Sequence, residues 1–402
     1  MTIDEQLEFL RRGTTEIISE EDLANKLRAG KSLRVKLGVD PTVAHVTLGW
    51  AVVLRKLRDF QRLGHTACLV IGDFTARIGD PSGKSKTRPQ LSREEVVANV
   101  REIEKQLYKI LDPDRTEISY NADWLGSMSF EDVIRLASQV TVARILERDD
   151  FEKRLSEQRP IALHEILYPL CQAYDSVALK ADIELGGTDQ KFNNLLGRHL
   201  QPHFDQEGQV VMLCPLLVGT DGKEKMSQSL GNYIGITEEP NEIFGKAMSI
   251  PDEVMANWFE LCTDVPLPEV ERMMAECKAG QLNPRDAKRR LAREIVALYH
   301  SEQAAEEADR YFIEVFSKRE QPVEAAETLL PPDLIQDGAV SLPHLIHGLG
   351  MAKSVSAARD LIKQGGVSLD GEKFTDPFGK VEAEALRGRV LRVGKHRFAQ
   401  IK

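Results

Sequence analysis

The sequence has no apolar run of membrane-spanning length, and its N-terminus, MTIDEQLEFLRRG, is too acidic and broken for a signal peptide. The five cysteines are scattered, without a CxxC pair or a paired histidine spacing. This pattern argues against a zinc site and against a disulfide framework. Internal repeats and low-complexity tracts are also missing. Together these absences predict a cytoplasmic protein that spans no membrane and has no protein-bound metal.

An excess of basic charge is missing too, since the 402 residues carry a formal net charge of −10. The charge is unevenly spread, however. Residues 340–402 hold eleven Lys or Arg and six Asp or Glu, which gives +5 and leaves −15 for residues 1–339. A modestly basic tail on an acidic body is typical of a protein that contacts RNA at chosen points rather than along its whole surface.

What is present is the composition of an ordinary globular protein, 42% hydrophobic and 29% charged, with a length that suits two or three domains. Strand and helix patterns alternate over about the first 235 residues. The alternation predicts an α/β fold built on a doubly wound, mostly parallel, Rossmann-like sheet. The predicted divisions are a Rossmann-like domain (1–237), a small helical domain (238–318), an acidic, proline-bearing linker (319–338) and a C-terminal domain (339–402).

Residues 33–58 indicate a strand, a glycine-bearing loop and a helix. Apolar and charged residues alternate up to Gly38, Pro41 forces a turn, and apolar residues recur at helical spacing from Gly49 onward. Many α/β nucleotide sites begin in this way, because the first backbone amides of a helix bind phosphate. An ordinary strand-to-helix connection would give the same pattern, so later segments must decide between the two.

The run DPSGKS at 80–85 suggests a phosphate-binding loop. A P-loop needs a glycine five residues before its Gly-Lys-Ser, but Ile78 stands there and Gly79 comes one residue late. We therefore exclude a Walker-type ATPase. The simplest alternative for Asp80 is that it only begins a turn.

Three polar residues share one face of a predicted helix, because Tyr168, Gln172 and Asp175 are spaced i, i+4 and i+7. A face that mixes a phenol, an amide and a carboxylate is poor core material, since each group needs a partner when it is buried. The same groups are well suited to binding a zwitterion with a phenolic tail.

Four stretches of the chain, in order and spacing, closely resemble the bacterial tyrosyl-tRNA synthetases, which are class I enzymes. They are 33–58, 71–89 (IGDFTARIGDPSGKSKTRP), 168–193 (YPLCQAYDSVALKADIELGGTDQKFN) and 221–235 (DGKEKMSQSLGNYIG). The resemblance covers nearly the whole chain. It implies adenylation of tyrosine by ATP, with Mg²⁺ accompanying the ATP, and transfer of tyrosine to tRNA. It also implies a homodimer that meets through an insertion at about 116–180, and an S4-like α+β RNA-binding module at 339–402.

The resemblance also assigns a tyrosine pocket. Asp80, Tyr168 and Gln172 would hold the substrate ammonium, and Asp175 would accept the phenol hydrogen. A site built around a phenol hydroxyl rejects phenylalanine strongly, because its buried acceptor would be left unpaired. Lys36 occupies the place where some members set a second tyrosine against that hydroxyl. The full set implied around tyrosine is Lys36, Thr75, Asp80, Tyr168, Gln172, Asp175 and Gln190.

The remaining implied site residues lie at the ATP end. Glycine at position 49 would let a flat adenine ring lie close to the backbone. Asp189 and the glycines before it would face the ribose. The residues implied to bind ATP are Gly38, Asp40, Gly49, Trp50, Gly187, Asp189 and Met226, and the residues implied to act in catalysis are Thr42, Thr47, Lys225 and Ser229.

Both ATP signatures depart from the family. The family carries His-(Leu/Ile)-Gly-His where this chain has Thr47-Leu48-Gly49-Trp50, and Lys-Met-Ser-Lys-Ser where it has Lys225-Met226-Ser227-Gln228-Ser229. His45 lies two residues too early to replace the first histidine. The missing groups stabilise charge on the departing pyrophosphate, and losing one such contact costs about 2–4 kcal/mol. We therefore expect adenylation to be slowed by about 10³- to 10⁶-fold.

Three functions remain compatible with these departures. The first is a tyrosine–tRNA ligase with impaired activation, in which Arg77, Lys86 or Lys223 could substitute for the missing cations. The second is a synthetase-like paralogue or inactivated variant that binds tyrosine or tRNA without efficient adenylation. The third is an adenylate site used for a tyrosine analogue or another acceptor, which Trp50 suggests because it alters the phosphate region.

Overall fold

The computed structural model describes residues 1–39, 45–78, 93–317, 326–336, 338–394 and 397–402. These residues form two compact units, Met1–Ala305 and Glu306–Lys402. The first unit contains every described candidate site residue, and the second contains the basic tail.

A central sheet organises the first unit. Its described strands are β1 (Glu16–Ile18), β2 (Arg34–Val39), β3 (Thr66–Ile71), β4 (Thr116–Tyr120), β5 (Ile183–Gly187) and β6 (Val210–Cys214). Their order is β1-β6-β5-β2-β3-β4, with β2 to β6 pairing in parallel and β1 antiparallel to β6. The predicted doubly wound, mostly parallel sheet is therefore confirmed. Ligands bind such sheets at the carboxyl ends of the strands where the order reverses, here between β2 and β5.

Helices connect these strands and pack against them. The described helices that begin in the first unit are α1 (Ile3–Arg11), α2 (Glu20–Arg28), α3 (Leu48–Arg62), α4 (Arg93–Leu107), α5 (Ala122–Leu125), α6 (Phe130–Ala137), α7 (Val142–Leu146), α8 (Asp149–Ser156), α9 (Leu163–Leu179), α10 (Lys191–Leu200), α11 (Pro240–Met248), α12 (Met255–Cys262), α13 (Leu267–Lys278), α14 (Pro284–Tyr299) and α15 (Glu302–Phe312). Helix α3 packs on β3 and β5, α9 on β2, and α10 on β5 and β6.

The segment 130–155, whose sequence pattern is strongly helical, forms the three helices α6, α7 and α8. The first break has a local cause. Thr141 adopts an extended backbone and its Oγ1 accepts a hydrogen bond from Arg144 N at 3.2 Å, which begins α7. Threonine favours such a cap over a helix interior, where its branched side chain is restricted.

Helices α11 to α14 belong to the same compact unit as the sheet. Trp258 of α12 is fully buried and donates its Nε1 hydrogen to Val218 O at 3.0 Å, just beyond β6. Asp264, after α12, forms an ion pair with Arg55 of α3, in which Asp264 Oδ1 lies 2.5 Å from Arg55 Nη2. These contacts connect the helical segment to the chain just beyond β6 and to α3, the helix that begins at the candidate ATP site. A separate domain at 238–318 remains a prediction.

The second unit has its own core and two small sheets. Its described elements are β7 (Ala326–Thr328), β8 (Ile335–Gln336), β9 (Ala339–Ser341), α16 (Leu342–Gly348), α17 (Val355–Lys363), β10 (Val367–Leu369), β11 (Glu372–Lys373), β12 (Lys380–Glu382), α18 (Ala383–Leu386), β13 (Val390–Val393) and β14 (Arg397–Ile401). The sheets have the orders β11-β10-β13-β14-β7 and β12-β9-β8. Strands β7 and β8 lie within 319–338, so part of the predicted linker is built into the sheets of this unit.

Candidate active site

A buried carboxylate lies beside the carboxyl end of β4. Asp175, on α9, is only 3% exposed. Its Oδ1 accepts a hydrogen bond from Trp124 Nε1 at 2.8 Å, and its Oδ2 accepts a long one from Asn121 Nδ2 at 3.4 Å. One carboxylate oxygen is thus firmly held, while the other keeps acceptor capacity for a further donor. This is the geometry that a phenol-binding acceptor requires.

The environment of Asp175 changes its acidity. Desolvation by burial raises the pKa of Asp175 to about 7, although the charge of Lys36 and the hydrogen bonds from Trp124 and Asn121 lower the pKa. Asn121 is itself fixed, because its Oδ1 accepts from Phe74 N at 2.9 Å and its Nδ2 donates to Thr75 Oγ1 at 3.1 Å. The structure therefore brings Thr75 and Asp175 together through one amide.

Lys36 lies in the middle of β2 and is completely buried. Its Nζ donates to Glu184 Oε1 at 2.9 Å, to Ser176 Oγ at 2.7 Å and to Gln172 O at 3.0 Å. An ammonium has three hydrogens, so these three acceptors satisfy it completely. Lys36 and Glu184 face each other across the β2–β5 ladder. In this structure Lys36 presents no donor to a ligand.

The amide of Gln172 is held by two asparagines of α10. Its Nε2 donates to Asn194 Oδ1 at 3.0 Å, and its Oε1 accepts from Asn193 Nδ2 at 2.9 Å. The second lone pair of Oε1 can still accept a hydrogen from an ammonium group. Tyr168, one helical turn earlier on α9, is buried. The predicted polar face of α9 is therefore present and points towards polar partners.

Gln190 lies against the carboxyl end of β5. A Cβ added to Gly186 would stand 2.9 Å from Gln190 Oε1 and 2.5 Å from Asn194 Nδ2, so glycine is needed for this close approach. At Gly187 a Cβ would stand 2.7 Å from Asp189 Oδ1. At the end of β2, a Cβ on Gly38 would meet no atom of the described residues within 4 Å.

The two altered signature segments lie in contact. Thr47 caps α3 and its Oγ1 accepts a hydrogen bond from Trp50 N at 3.4 Å. Gly49 N, one of the first amides of the helix, donates to Met226 Sδ at 3.2 Å. A Cβ on Gly49 would stand 3.5 Å from Met226 Cβ. The loop that contains Met226 thus lies directly against the start of α3.

Two further contacts join the loop to other segments, and one lies within it. Lys225 Nζ pairs with Asp189 Oδ2 at 3.0 Å, and Gln228 Nε2 donates to His45 O at 2.7 Å. Ser229 Oγ lies 2.8 Å from Ser227 Oγ. The Lys225–Asp189 pair is half-exposed, and such pairs contribute only about 0–1 kcal/mol. Lys225 can therefore exchange its carboxylate partner for a phosphate at little cost.

Asp40, Thr42 and Asp80 lie outside the described residues, as do Lys86 and the side chain of Arg77. Among the residues that are described, no group of three or more His, Cys, Asp or Glu could hold a metal ion. No helix in the described part of the chain is long and apolar enough to cross a membrane.

Sequence patterns missed the partners that orient the pocket. Asn121 and Trp124 follow β4 directly, and polar residues at the carboxyl end of a parallel strand are a usable signal for a site. Glu184 gave a weaker signal, since its pairing with Lys36 depends on β2 and β5 being neighbours. Asn193 and Asn194 matter only through the packing of α10 against α9.

Comparison with known proteins identifies two matching families. Residues 28–317 match the family described as tRNA synthetases class I (W and Y), and residues 342–384 match the S4 domain. The tyrosine–tRNA ligase of Moorella thermoacetica is 54% identical over 400 residues, which cover 98% of this chain and 95% of that protein. The tyrosine–tRNA ligase of Carboxydothermus hydrogenoformans is 52% identical over 408 residues, covering 100% and 99%.

Solved structures agree at the level of the fold. The tyrosyl-tRNA synthetase of Archaeoglobus fulgidus, crystallised with L-tyrosine, has a TM-score of 0.62 and 23% identity, covering 76% of this chain and 99% of that one. The C-terminally truncated mitochondrial tyrosyl-tRNA synthetase of Aspergillus nidulans has a TM-score of 0.64 and 22% identity. The match covers 77% of this chain and 94% of that one.

Proposed function

Because the chain belongs to the class I tRNA synthetases (W and Y), we propose that it is a tyrosine–tRNA ligase with slowed amino-acid activation. It would join tyrosine to AMP with release of pyrophosphate and then transfer the tyrosyl group to tRNA. The observation that carries the specificity is the buried Asp175 carboxylate, held at one oxygen by Trp124 and available at the other. A phenol hydroxyl satisfies that acceptor and a phenyl ring does not.

The test of the overall function is charging of a bacterial tyrosine tRNA transcript with labelled tyrosine. We expect acid-stable tyrosyl-tRNA to accumulate slowly and only when ATP is present. Phenylalanine should give none, because its ring has no hydroxyl to donate to the acceptor capacity that Asp175 keeps. Accumulation of phenylalanyl-tRNA at an equal rate would contradict the pocket assignment.

At the ATP end, this chain's own residues would act by positioning. The first amides of α3, including that of Gly49, would face the phosphates, after Met226 releases the Gly49 amide. Lys225 would transfer from Asp189 to the departing pyrophosphate, which leaves Asp189 to accept from the ribose. Mg²⁺ would enter with the ATP as part of the substrate and neutralise phosphate charge. Thr47 and Gln228 supply neutral hydrogen bonds where a cation would stabilise the transition state more.

We assign Lys36 a positioning role in place of direct contact with tyrosine. Its three acceptors include the backbone of Gln172, which faces the ammonium end. Its charge also favours the ionised form of Asp175 and so lowers the pKa of that carboxyl. One buried lysine would thus support both ends of the tyrosine pocket.

Tyrosine binding should release a proton near neutral pH. The pKa of Asp175 is raised to about 7 by burial, whereas a phenol hydroxyl bonds more strongly to the ionised carboxylate. Affinity for tyrosine should therefore rise as the pH is raised through about 7 and fall below it. Calorimetry in buffers of different ionisation enthalpy measures the released proton.

Asp175→Asn provides the control for that titration. The variant should bind tyrosine more weakly and lose the pH dependence, while its affinity for phenylalanine should change little because the apolar walls remain. An equal loss for both amino acids would show that Asp175 has a structural role instead.

We also propose that the chain is a homodimer. Five large apolar side chains between residues 130 and 163 are more than half exposed: Phe130, Ile134, Val142, Leu155 and Leu163. Phe130 and Ile134 are four residues apart and share a face of α6. A patch of this kind typically marks a protein interface, and a second copy of the chain is the partner that the resemblance implies.

Phe130→Glu should raise the dimer dissociation constant by about 30-fold or more, because a buried charge replaces a large apolar anchor. Sedimentation velocity over a concentration series measures this constant. Leu329→Glu is the matched control, since Leu329 is equally exposed (77% against 79%) but lies in the second unit. A monomeric wild-type chain would refute the proposal.

A further inference from the structure

The second unit presents an exposed aromatic ring on a hydrogen-bonded turn. Phe378 is 69% exposed. Its backbone N donates to Asp376 Oδ1 at 2.9 Å, and Gly379 N donates to Asp376 O at 3.2 Å. A Cβ on Gly379 would stand 2.8 Å from Phe374 Cζ, so the turn is packed closely on its inner side. The ring is therefore held outward by a defined turn.

One face of this ring is covered by a cation. The guanidinium carbon of Arg359, on α17, lies 4.9 Å from the Phe378 ring centroid. Arg359 has no carboxylate partner among the described residues, and its Nε is buried without a hydrogen-bond acceptor there. The contact of Arg359 with the ring is a cation–π interaction, in which the ring face attracts the positive charge of the guanidinium. We call the ring and the guanidinium that lies over it the Phe378–Arg359 stack.

Helix α17, which supplies Arg359, is capped at its start and packs against the core of the second unit. Ser354 Oγ caps α17 by accepting from Ala357 N at 3.1 Å. Ala358 and Ile362 of α17 are fully buried in the core of the unit. Arg359 and Lys363 are four residues apart and lie on one side of the helix, and Lys363 is exposed. Arg359 is therefore carried by a helix that packs in the core, and Lys363 supplies a second cation on the same side of that helix.

We propose that the Phe378–Arg359 stack is a platform on which an unpaired base of the bound tRNA stacks. The proposal rests on the proposed tRNA-ligase function and adds where a base is held. Two observations favour RNA over a protein partner. Residues 340–402 carry +5 in a chain of −10, and the exposed Phe378 ring is paired with the cationic guanidinium of Arg359. Unstacked bases bind to aromatic rings and arginine planes in single-stranded RNA recognition.

The experiment measures the affinity of the full chain for a bacterial tyrosine tRNA transcript by filter binding at several salt concentrations. Phe378→Leu keeps an apolar side chain but removes the stacking surface, and it should weaken binding about 5- to 100-fold. The factor should be the same at every salt concentration, because the ring neutralises no phosphate. Leu329→Ala removes exposed apolar surface from the same unit, since Leu329 is 77% exposed, and should leave the affinity unchanged.

Phe378→Trp gives a direct spectroscopic readout. The variant should bind tRNA within about 3-fold of the wild-type chain, since indole stacks on bases at least as well. Its added fluorescence should be quenched when tRNA binds. Tyrosine-dependent ATP–pyrophosphate exchange needs no tRNA and should be equal in all of these proteins.

The results that would contradict the platform can be distinguished from those that would contradict the proposed function. Equal tRNA affinity of the wild-type chain and Phe378→Leu, or no quenching in Phe378→Trp, would overturn the platform and leave the proposed function standing. A wild-type chain that exchanges pyrophosphate but binds no tRNA would overturn the platform together with the transfer step. A chain that does neither would overturn the proposed function as well.

Discussion

Restoring Thr47→His, Trp50→His and Gln228→Lys together should raise the rate of tyrosine adenylation by about 10³- to 10⁶-fold. The three positions lie at the start of α3 and on the loop that rests against it. Each replacement puts a stronger or charged donor where negative charge develops on the pyrophosphate. Tyrosine affinity should hardly change, because the new groups act mainly in the transition state. Pyrophosphate exchange and tyrosine calorimetry measure the two quantities.

The gains from the three substitutions should be coupled. The phosphates must be held from the helix side and from the loop side at once. The rate gain from the substitutions on α3 should therefore be larger when Gln228→Lys is also present. Gln228 donates to His45 O at 2.7 Å, and a lysine there can keep that bond in the resting state. Thr47→His removes a helix cap at a cost of about 1 kcal/mol, so unfolding must be followed alongside the rate.

Leu230→Lys is the matched control for added charge. Leu230 is 56% exposed and lies two residues beyond Gln228 on the same loop. If general electrostatic attraction of ATP were sufficient, this variant would gain as much as Gln228→Lys. A folded triple variant that binds tyrosine without any gain in exchange would contradict the assignment of the defect to these positions.

Lys36→Met should lower the free energy of unfolding by about 3–5 kcal/mol, because it leaves Glu184 charged and buried without its ammonium partner. Glu184 would retain donors from Ser176 and Gln209, which are neutral. Urea denaturation measures the loss, provided that the denaturant dependence is unchanged. The double variant Lys36→Met, Glu184→Gln should be less destabilised than Lys36→Met, since no buried charge is then left unpaired.

A positioning role predicts one result that loss of stability alone does not. The charge of Lys36 lowers the pKa of Asp175, so removing it should move the midpoint of pH-dependent tyrosine binding above about 7. At low temperature, where Lys36→Met is folded, calorimetry measures that midpoint. An unchanged midpoint would show that Lys36 contributes only to stability.

Sequence patterns predicted the local parts of the site and missed what depends on strand order. The spacing of Tyr168, Gln172 and Asp175 was enough to place them on one face, because helical geometry is local. The Lys36–Glu184 pair joins residues 148 positions apart through the β2–β5 ladder, which no local pattern shows. The strand β7 was missed because three residues pairing with the C-terminal β14 carry no periodic signal.

The altered signature residues show the same limit of sequence patterns, because their present contacts depend on the folded structure. Comparison of motifs located the changes at Thr47, Trp50 and Gln228, but the sequence could not show what these residues do now. The structure shows that Thr47 caps α3 and that Gln228 ties the loop to His45 O. Both side chains therefore have partners within the protein when no ligand is bound.

Tyrosine-dependent ATP–pyrophosphate exchange at saturating ATP tests the central claim most directly. A ligase with an intact tyrosine pocket and weakened phosphate contacts should show exchange that is slow, strictly dependent on tyrosine and absent with phenylalanine. Tyrosine should bind the same preparation in calorimetry. Exchange no higher than the background without enzyme, in a preparation that binds tyrosine, would contradict the claim and identify the chain as a tyrosine-binding relative of the ligases.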